Sequence, residues 1–167
     1  ATVEVVAANV ELPDPAGATV VRVSTTEELH KAVVERAGAA DVVVMAAAVA
    51  DFRPTEVSAG KIKKTDDGAA PTLELTRTVD VLAELGAAQE SQRVVVGFAA
   101  ETVDARPQLT ALADAKRRAK GADLIVANSV GTDRGFESSM NAATIVSADG
   151  VDREVATTTK IGVANAV

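Results

Sequence analysis

Residues 41–48 of the chain, DVVVMAAA, form a run of apolar side chains with no polar residue after Asp41. A strand whose two faces are both covered needs no polar side chains, and such strands are typical of parallel sheets. Two similar runs follow, RVVVGFAA at residues 93–100 and DLIVAN at residues 123–128. We therefore predict that these three segments are buried strands of one parallel sheet.

Segments with helical spacing of apolar residues alternate with these strands. Thr25 and Glu28 predict a capping box at the start of the first helix, and Gly121 predicts the end of the third. The predicted helices span residues 26–37, 79–89 and 106–120. Because repeated strand–helix–strand units produce parallel sheets with right-handed crossovers, the sequence predicts an α/β, Rossmann-like fold with helices on both faces.

Further elements are predicted outside these three units, and the C-terminal hairpin adds an antiparallel edge to the mainly parallel sheet. Short strands are predicted at residues 3–8 and 20–23, and residues 51–78 form a long, partly mobile excursion with a short strand at 72–75. Near the C-terminus, residues 148–150 (ADG) predict the turn of an antiparallel hairpin with strands at 143–147 and 152–157. An interrupted helix is predicted at 160–167. The length of 167 residues fits a single domain over residues 1–167.

Composition excludes several classes of function. With 0 Cys there is no disulfide or thiol nucleophile, and with 1 His a histidine-cluster zinc site is impossible within one chain. That residue, His30, is expected to be a solvated helix residue without a role. The net charge of -7 and the absence of Trp and Tyr argue against nucleic-acid binding. No apolar stretch reaches the roughly 20 residues of a membrane span, so a soluble cytoplasmic protein is expected.

Small or polar residues stand where the predicted strands end. Alanines follow Met45, residues 97–100 are GFAA, and Asn128 closes the third run. Small side chains let a ligand approach the backbone, and ligands of open α/β sheets bind at this edge. Asp51, Asn128 and Asn141 fit either contacts to a sugar hydroxyl or a metal, or the commoner capping of a turn.

Positive charge is concentrated in two places. Lys61, Lys63 and Lys64 lie in the excursion, while Lys116 and Lys120 share one face of the third helix. Lysines that converge on a crevice suit a polyphosphate, but solvated surface lysines remain the alternative, favoured for Lys116 and Lys120 taken alone. Neither G-x-x-x-x-G-K-[ST] nor G-x-G-x-x-G after a strand occurs. The residues by themselves indicate an α/β domain that binds an anionic, nucleotide-like ligand.

An ordered set of motifs narrows this interpretation. The set comprises MAAAVADFRP (45–54), KIKK (61–64), VGFAAET (96–102), Lys116 and Lys120 ahead of ADLIVAN (122–128), Phe136 and Asn141. In this order the motifs resemble phosphopantothenoylcysteine synthetase, the second activity of the bacterial bifunctional coenzyme A biosynthesis flavoprotein. The resemblance extends over essentially the whole chain.

The resemblance implies CTP-dependent ligation of 4'-phosphopantothenate with L-cysteine, through an acyl-cytidylate intermediate and with Mg²⁺. It also implies that the Lys-x-Lys-Lys segment is a flap over the site and that Lys61 is the catalytic cation; the metal ligands stay unassigned. The implied nucleotide-binding residues are Ala47, Ala48, Asp51, Lys61, Val95, Val96, Gly97, Phe98, Lys116 and Lys120.

The resemblance further implies a domain that lacks the first strand and Gly-rich loop of the family, and whose closing helix is cut short. A homodimer is expected, with a higher assembly and bound FMN only if a decarboxylase domain precedes the chain. Two rival interpretations remain: an NAD(P)-dependent reductase with a Rossmann-like sheet, and a non-catalytic dimerisation fragment.

Overall fold

The computed structural model describes residues 1–63, 70–88, 93–103, 105–130, 140–150 and 152–167. The strands are β1 (Val3–Ala8), β2 (Ala18–Val23), β3 (Val42–Met45), β4 (Phe52–Pro54), β5 (Leu75–Arg77), β6 (Val94–Glu101), β7 (Leu124–Ser129), β8 (Met140–Ser147) and β9 (Arg153–Thr159). The helices are α1 (Thr26–Ala37), α2 (Val81–Ala87), α3 (Arg106–Lys120) and α4 (Lys160–Ala164).

The main sheet has the strand order β3-β6-β7-β8-β9. Strands β3, β6 and β7 are parallel, whereas β8 and β9 add antiparallel pairs. The predicted α/β fold with its C-terminal antiparallel hairpin is thereby confirmed. Strands β1 and β2 form a separate parallel pair, and β4 with β5 forms a separate antiparallel pair that we call the β4–β5 arm.

Two clusters of apolar side chains hold the layers together. On one face, Leu29 of α1, Leu85 of α2 and Ala113 of α3 pack in one core with Ile125 of β7. On the other face, Val163 of α4 packs with strand residues such as Val126. Helices therefore cover both faces, as predicted, although the second face has only the short α4 among the described helices.

The strand that opens the parallel region is less buried than its sequence predicts. Strand β3 ends at Met45, and 54% of Val42 and 52% of Val44 remain exposed. Burial on both faces is therefore wrong for β3, because it lies at the edge of the main sheet, where nothing described covers one face. The same prediction holds for the middle of β6, where Val95 and Val96 are buried.

Local signals set the helix ends. The Thr25 hydroxyl accepts a hydrogen bond from the Glu28 N–H at 3.1 Å, and the Glu28 carboxylate accepts one from the Thr25 N–H at 3.2 Å. Gly121 ends α3 in the left-handed conformation with φ 63°. Both predictions are confirmed, whereas the last helix ends at Ala164 rather than 167.

The single histidine has a partner. Nε2 of His30 lies 2.8 Å from Oε2 of Glu84, and this contact joins α1 to α2. His30 was expected to be a solvated helix residue; it does lie in α1 and is partly exposed, but the short α2 also brings it a carboxylate from 54 residues along the chain. None of the helices in the described ranges is long and apolar enough to cross a bilayer.

Candidate functional site

The loop that follows β3 is fixed at the carboxyl edge of the sheet. The Thr78 hydroxyl donates to the Ala50 carbonyl at 2.5 Å, and the Thr78 N–H donates to the Asp51 carbonyl at 3.0 Å. The chain therefore leaves for the β4–β5 arm and returns from it at one point. Ala47 and Ala48 lie exposed in this loop, where a ligand can reach their backbone.

Asp80, two residues after Thr78, begins α2 and makes two different contacts. Its Oδ1 accepts a hydrogen bond from the Ala83 N–H at 3.0 Å, which caps the helix. Its Oδ2 accepts from the ammonium of Lys120 on α3. Burial raises the pKa of the Asp80 carboxyl. Lys120, the Ala83 N–H and Lys116 lower it, and because their combined effect exceeds that of burial, the pKa lies below its usual value.

The second lysine of α3 lies beside another carboxylate. Nζ of Lys116 is 3.6 Å from Oε1 of Glu101, the last residue of β6. Lys116 also attracts the Asp80 carboxylate electrostatically. We call Asp80, Glu101, Lys116 and Lys120 the lysine–carboxylate cluster; it brings the two lysines of α3 to the carboxyl edge.

A close approach of α2 to α3 places Lys120 next to α2. A Cβ atom on Gly86 would lie only 2.0 Å from the carbonyl oxygen of Lys120, so only glycine fits there. Long helical side chains point back toward the helix N-terminus, which in α3 lies after the carboxyl end of β6. The Lys120 side chain therefore runs along α2 toward Asp80.

Lys61 lies in the exposed segment that follows β4. Within the described part of the chain it forms no ion pair or hydrogen bond, so no direct contact joins it to the lysine–carboxylate cluster. Lys63 is likewise exposed. Lys64 and Phe136, which the motifs also singled out, lie outside the described residues.

The predicted positions in β6 have different surroundings. Val95 and Val96 are buried inside the sheet, and the Val95 N–H donates to the Asp123 carboxylate at 2.7 Å. A Cβ on Gly97 would lie 2.5 Å from Leu82 of α2, so this glycine has a packing reason of its own. Phe98 is 37% exposed and points to the sheet face opposite Gly97.

The two asparagines stand at the ends of neighbouring strands. Asn128 lies half-buried near the carboxyl end of β7, and Asn141 lies near the start of β8, where its own side chain accepts from the Ala142 N–H at 3.0 Å. This contact lies within a strand and to the next residue, so it is neither the turn cap nor the ligand contact that the sequence left open for Asn141.

Sequence reasoning missed Asp80 and Glu101. An Asp directly before a helical apolar pattern is an N-cap signal, and this signal could have identified Asp80. Its lysine partner is 40 residues away along the chain, so the ion pair had no local signal. No group of three His, Asp or Glu side chains in the described ranges could hold a metal ion.

A hollow of about 350 Å³ lies elsewhere, between the ends of α1 and α2. Its cation, Arg93, donates to the carbonyls of Ala37, Leu85 and Ala88 at 3.0 to 3.1 Å, so this guanidinium is committed to ending two helices. The lysine–carboxylate cluster therefore remains the better candidate, since its ammonium groups can exchange carboxylate partners for the oxygens of a polyanion.

Comparison with known sequences identifies relatives along the whole chain. The family described as "DNA/pantothenate metabolism flavoprotein C-terminal domain" matches residues 1–167. The coenzyme A biosynthesis bifunctional protein CoaBC of Mycobacterium tuberculosis is 49% identical over 146 residues, 84% of this chain and 35% of that protein. The CoaBC of Bacillus subtilis is 42% identical over 165 residues, 98% of this chain and 39% of that protein. The chain thus spans little more than a third of these relatives.

Solved structures share the fold. The C-terminal domain of a CoaBC protein superposes with a TM-score of 0.76 at 32% identity, covering 99% of this chain and 72% of that one. A Cab2 mutant in complex with phosphopantothenate-cysteine gives a TM-score of 0.58 at 18% identity, covering 83% of this chain and 46% of that one. The second likeness concerns the fold alone.

Proposed function

Because the chain belongs to the family of DNA/pantothenate metabolism flavoprotein C-terminal domains, we propose that it is a phosphopantothenate–cysteine ligase of coenzyme A biosynthesis. It joins 4'-phosphopantothenate to L-cysteine and uses CTP as the co-substrate. The family match over residues 1–167 carries this proposal. The curated relatives are bifunctional coenzyme A biosynthesis proteins, and a solved protein of the same fold is a complex with phosphopantothenate-cysteine.

The proposed reaction has two steps. The carboxylate of 4'-phosphopantothenate attacks the α-phosphorus of CTP, forms an acyl-cytidylate and expels pyrophosphate. The amine of cysteine then attacks the activated carbonyl, forms the amide and releases CMP. Negative charge moves onto the triphosphate oxygens in the first step, so cations placed there stabilise the transition state and keep the reacting atoms in line.

Different residues of the chain bind different parts of CTP in this proposal. Lys116 and Lys120 neutralise the triphosphate at the carboxyl edge, where both already lie beside carboxylates. The exposed backbone at Ala47 and Ala48 holds the nucleoside together with Asp51, whose carbonyl is fixed by Thr78. Lys61 is the catalytic cation and arrives on the exposed segment after β4.

Most of the implied nucleotide-binding residues of β6 are buried and contribute by fixing the position of the strand. Val95, Val96 and Gly97 are buried and fix the course of β6 beneath the nucleotide, while Phe98 is exposed enough for direct contact. Mg²⁺ usually keeps several waters and binds through substrate phosphates and one or two carboxylates, so a cluster of three acidic ligands is not required. Bound Mg²⁺ supplies charge neutralisation on the triphosphate.

In this proposal the enzyme is a cytoplasmic homodimer that binds 4'-phosphopantothenate, L-cysteine and CTP. FMN belongs to it only where a decarboxylase domain precedes the chain, and the assembly is then larger.

Thermal unfolding with different nucleotides tests the proposal. A ligand that binds only the folded state at about 100 times its Kd adds about 2.7 kcal/mol of stability. CTP with Mg²⁺ is expected to raise Tm more than ATP or NADPH does. Lys120→Gln should reduce the CTP shift, whereas Lys160→Gln, at an exposed lysine that begins α4, should retain it. A larger shift with NADPH would favour the reductase, and no shift with any nucleotide would favour a non-catalytic fragment.

A further inference from the structure

Asp80 forms an ion pair with Lys120 in addition to capping a helix. Asp80 caps α2 through Oδ1 alone, and its Oδ2 is left to accept from Lys120. A side chain that only capped the helix could equally be Ser, Thr or Asn, which offer a cap of similar strength. The negative charge of Asp80 is therefore not required for the capping hydrogen bond, and it is this charge that pairs with Lys120.

The lysines of α3 have no other anionic partners among the described residues than these two carboxylates. Lys120 pairs with Asp80, and Lys116 lies beside Glu101 while also attracting Asp80. The side chains of Asp80 and Lys120 are 46% and 28% exposed, so solvent and a ligand can both reach the pair. A phosphate oxygen that approaches Lys120 therefore meets the negative charge of Asp80, whether it displaces the carboxylate or shares the three N–H donors of the ammonium with it.

We propose that Asp80 is an internal counter-ion of the polyphosphate site: it positions the Lys120 ammonium at the carboxyl edge and competes with the phosphate chain for it. This inference rests on the proposed function only in that the lysines bind phosphates. The counter-ion keeps Lys120 in place when the site is empty. Its negative charge also weakens the binding of an anion to Lys120.

Calorimetric titration with inorganic tripolyphosphate, in EDTA and at fixed ionic strength, tests this role. Asp80→Asn keeps the helix cap but removes the charge. We expect it to lower the Kd by about three- to fivefold, the upper range for a solvent-exposed ion pair. Loss of structure would instead raise the Kd. Asp114→Asn is the matched control, because Asp114 is also a carboxylate that pairs with cations of α3, here Arg117 and Arg118. Its Kd should change by less than about 1.5-fold.

A double-mutant cycle with Lys120→Gln separates the specific pair from a general charge effect. In the Lys120→Gln background, Asp80→Asn should tighten binding by much less than it does with Lys120 present, because only the weaker attraction to Lys116 remains. An equal or weaker affinity in Asp80→Asn, an undiminished tightening without Lys120, or no measurable binding by either protein would each overturn the role. Because tripolyphosphate carries no base, a failure to prefer CTP over ATP would count against the proposed function and leave this result standing.

Discussion

Lys61 is the residue to which the proposed chemistry assigns the largest effect. It is exposed and makes no ion pair within the described ranges, so replacing it removes a charge and breaks no ion pair among those residues. Lys61→Gln is expected to slow acyl-cytidylate formation by about 10²-fold or more, the usual cost of losing an electrostatic contact to the charge that develops in a transition state. The rate of pyrophosphate release in a single turnover measures this step.

The matched control for that change is Lys31→Gln, at an exposed lysine of α1. Both variants should unfold at the wild-type Tm, and only Lys61→Gln should be slow. A Lys61→Gln protein that forms the intermediate at the normal rate would remove Lys61 from the catalytic machinery.

Asp80 gives a second effect at this scale, on stability in acid. Burial raises the pKa of the Asp80 carboxyl, but Lys120 and the Ala83 N–H outweigh this effect, so the pKa lies below its usual value. A carboxyl whose pKa is lower in the folded state contributes stability above its unfolded pKa, about 3.9, and this contribution is lost as pH falls through the folded pKa. The free energy of unfolding should therefore decrease below about pH 4.

Urea unfolding at a series of pH values measures this decrease, and Asp80→Asn should make it shallower. Asp114, whose pKa its hydrogen bonds to Arg118 and Arg117 lower, retains part of the slope in the variant. An identical slope in both proteins would show that the Asp80 charge does not stabilise the fold.

At the scale of elements, the contact between α2 and α3 depends on one glycine. A Cβ on Gly86 would lie 2.0 Å from the Lys120 carbonyl and 2.8 Å from the backbone of Gly121, and backbone cannot move aside as a side chain can. Gly86→Ala is therefore expected to destabilise the fold by about 1–3 kcal/mol or more, the usual cost of overpacking. Denaturant unfolding measures this loss.

Gly38→Ala provides the comparison, because a Cβ there would meet nothing within 4 Å and its φ is -63°. It should leave stability unchanged or raise it slightly. Gly86→Ala should also weaken tripolyphosphate binding, since it moves Lys120 relative to Asp80. Equal stability of the two variants would mean that α2 shifts freely on α3.

For the whole molecule, local signals predicted more than distant ones. The capping box at Thr25 and the left-handed end of α3 at Gly121 depend on residues a few positions apart, and both were predictable. The exposure of Val42 and Val44 depends on which neighbours β3 has in the sheet, and a run of valines carries no information on that. Hydrophobicity therefore predicted the strand but not its edge position.

In the candidate site, too, the features with a local sequence signal were predicted and those set by tertiary contacts were not. Lys116 and Lys120 were predicted to share a helix face, and the structure places both beside carboxylates at one edge. Asp80 and Glu101 were not predicted, because their pairing with α3 follows from the packing of α2 and β6 against that helix. Tertiary contacts therefore determine how the lysines are held, while their spacing determines only that they lie together.

The β4–β5 arm exposes an apolar surface, as judged from the described residues of the chain. Phe52 and Leu75 lie on one face of this two-stranded pair, since their cross-strand partners are Arg77 and Pro54, and they are 54% and 58% exposed. An isolated two-stranded pair is marginally stable in water, and exposed apolar patches mark interaction sites. In the proposed homodimer we expect this face to be buried.

Each copy of a symmetric dimer carries a substitution once, so Leu75→Ser acts twice. At about 1.5–3 kcal/mol for a buried leucine, it should weaken the dimer by well over tenfold. Sedimentation velocity over a concentration series measures this, with Leu12→Ser, 73% exposed in the loop after β1, as the control. Equal dimerisation of the two variants would place the interface elsewhere.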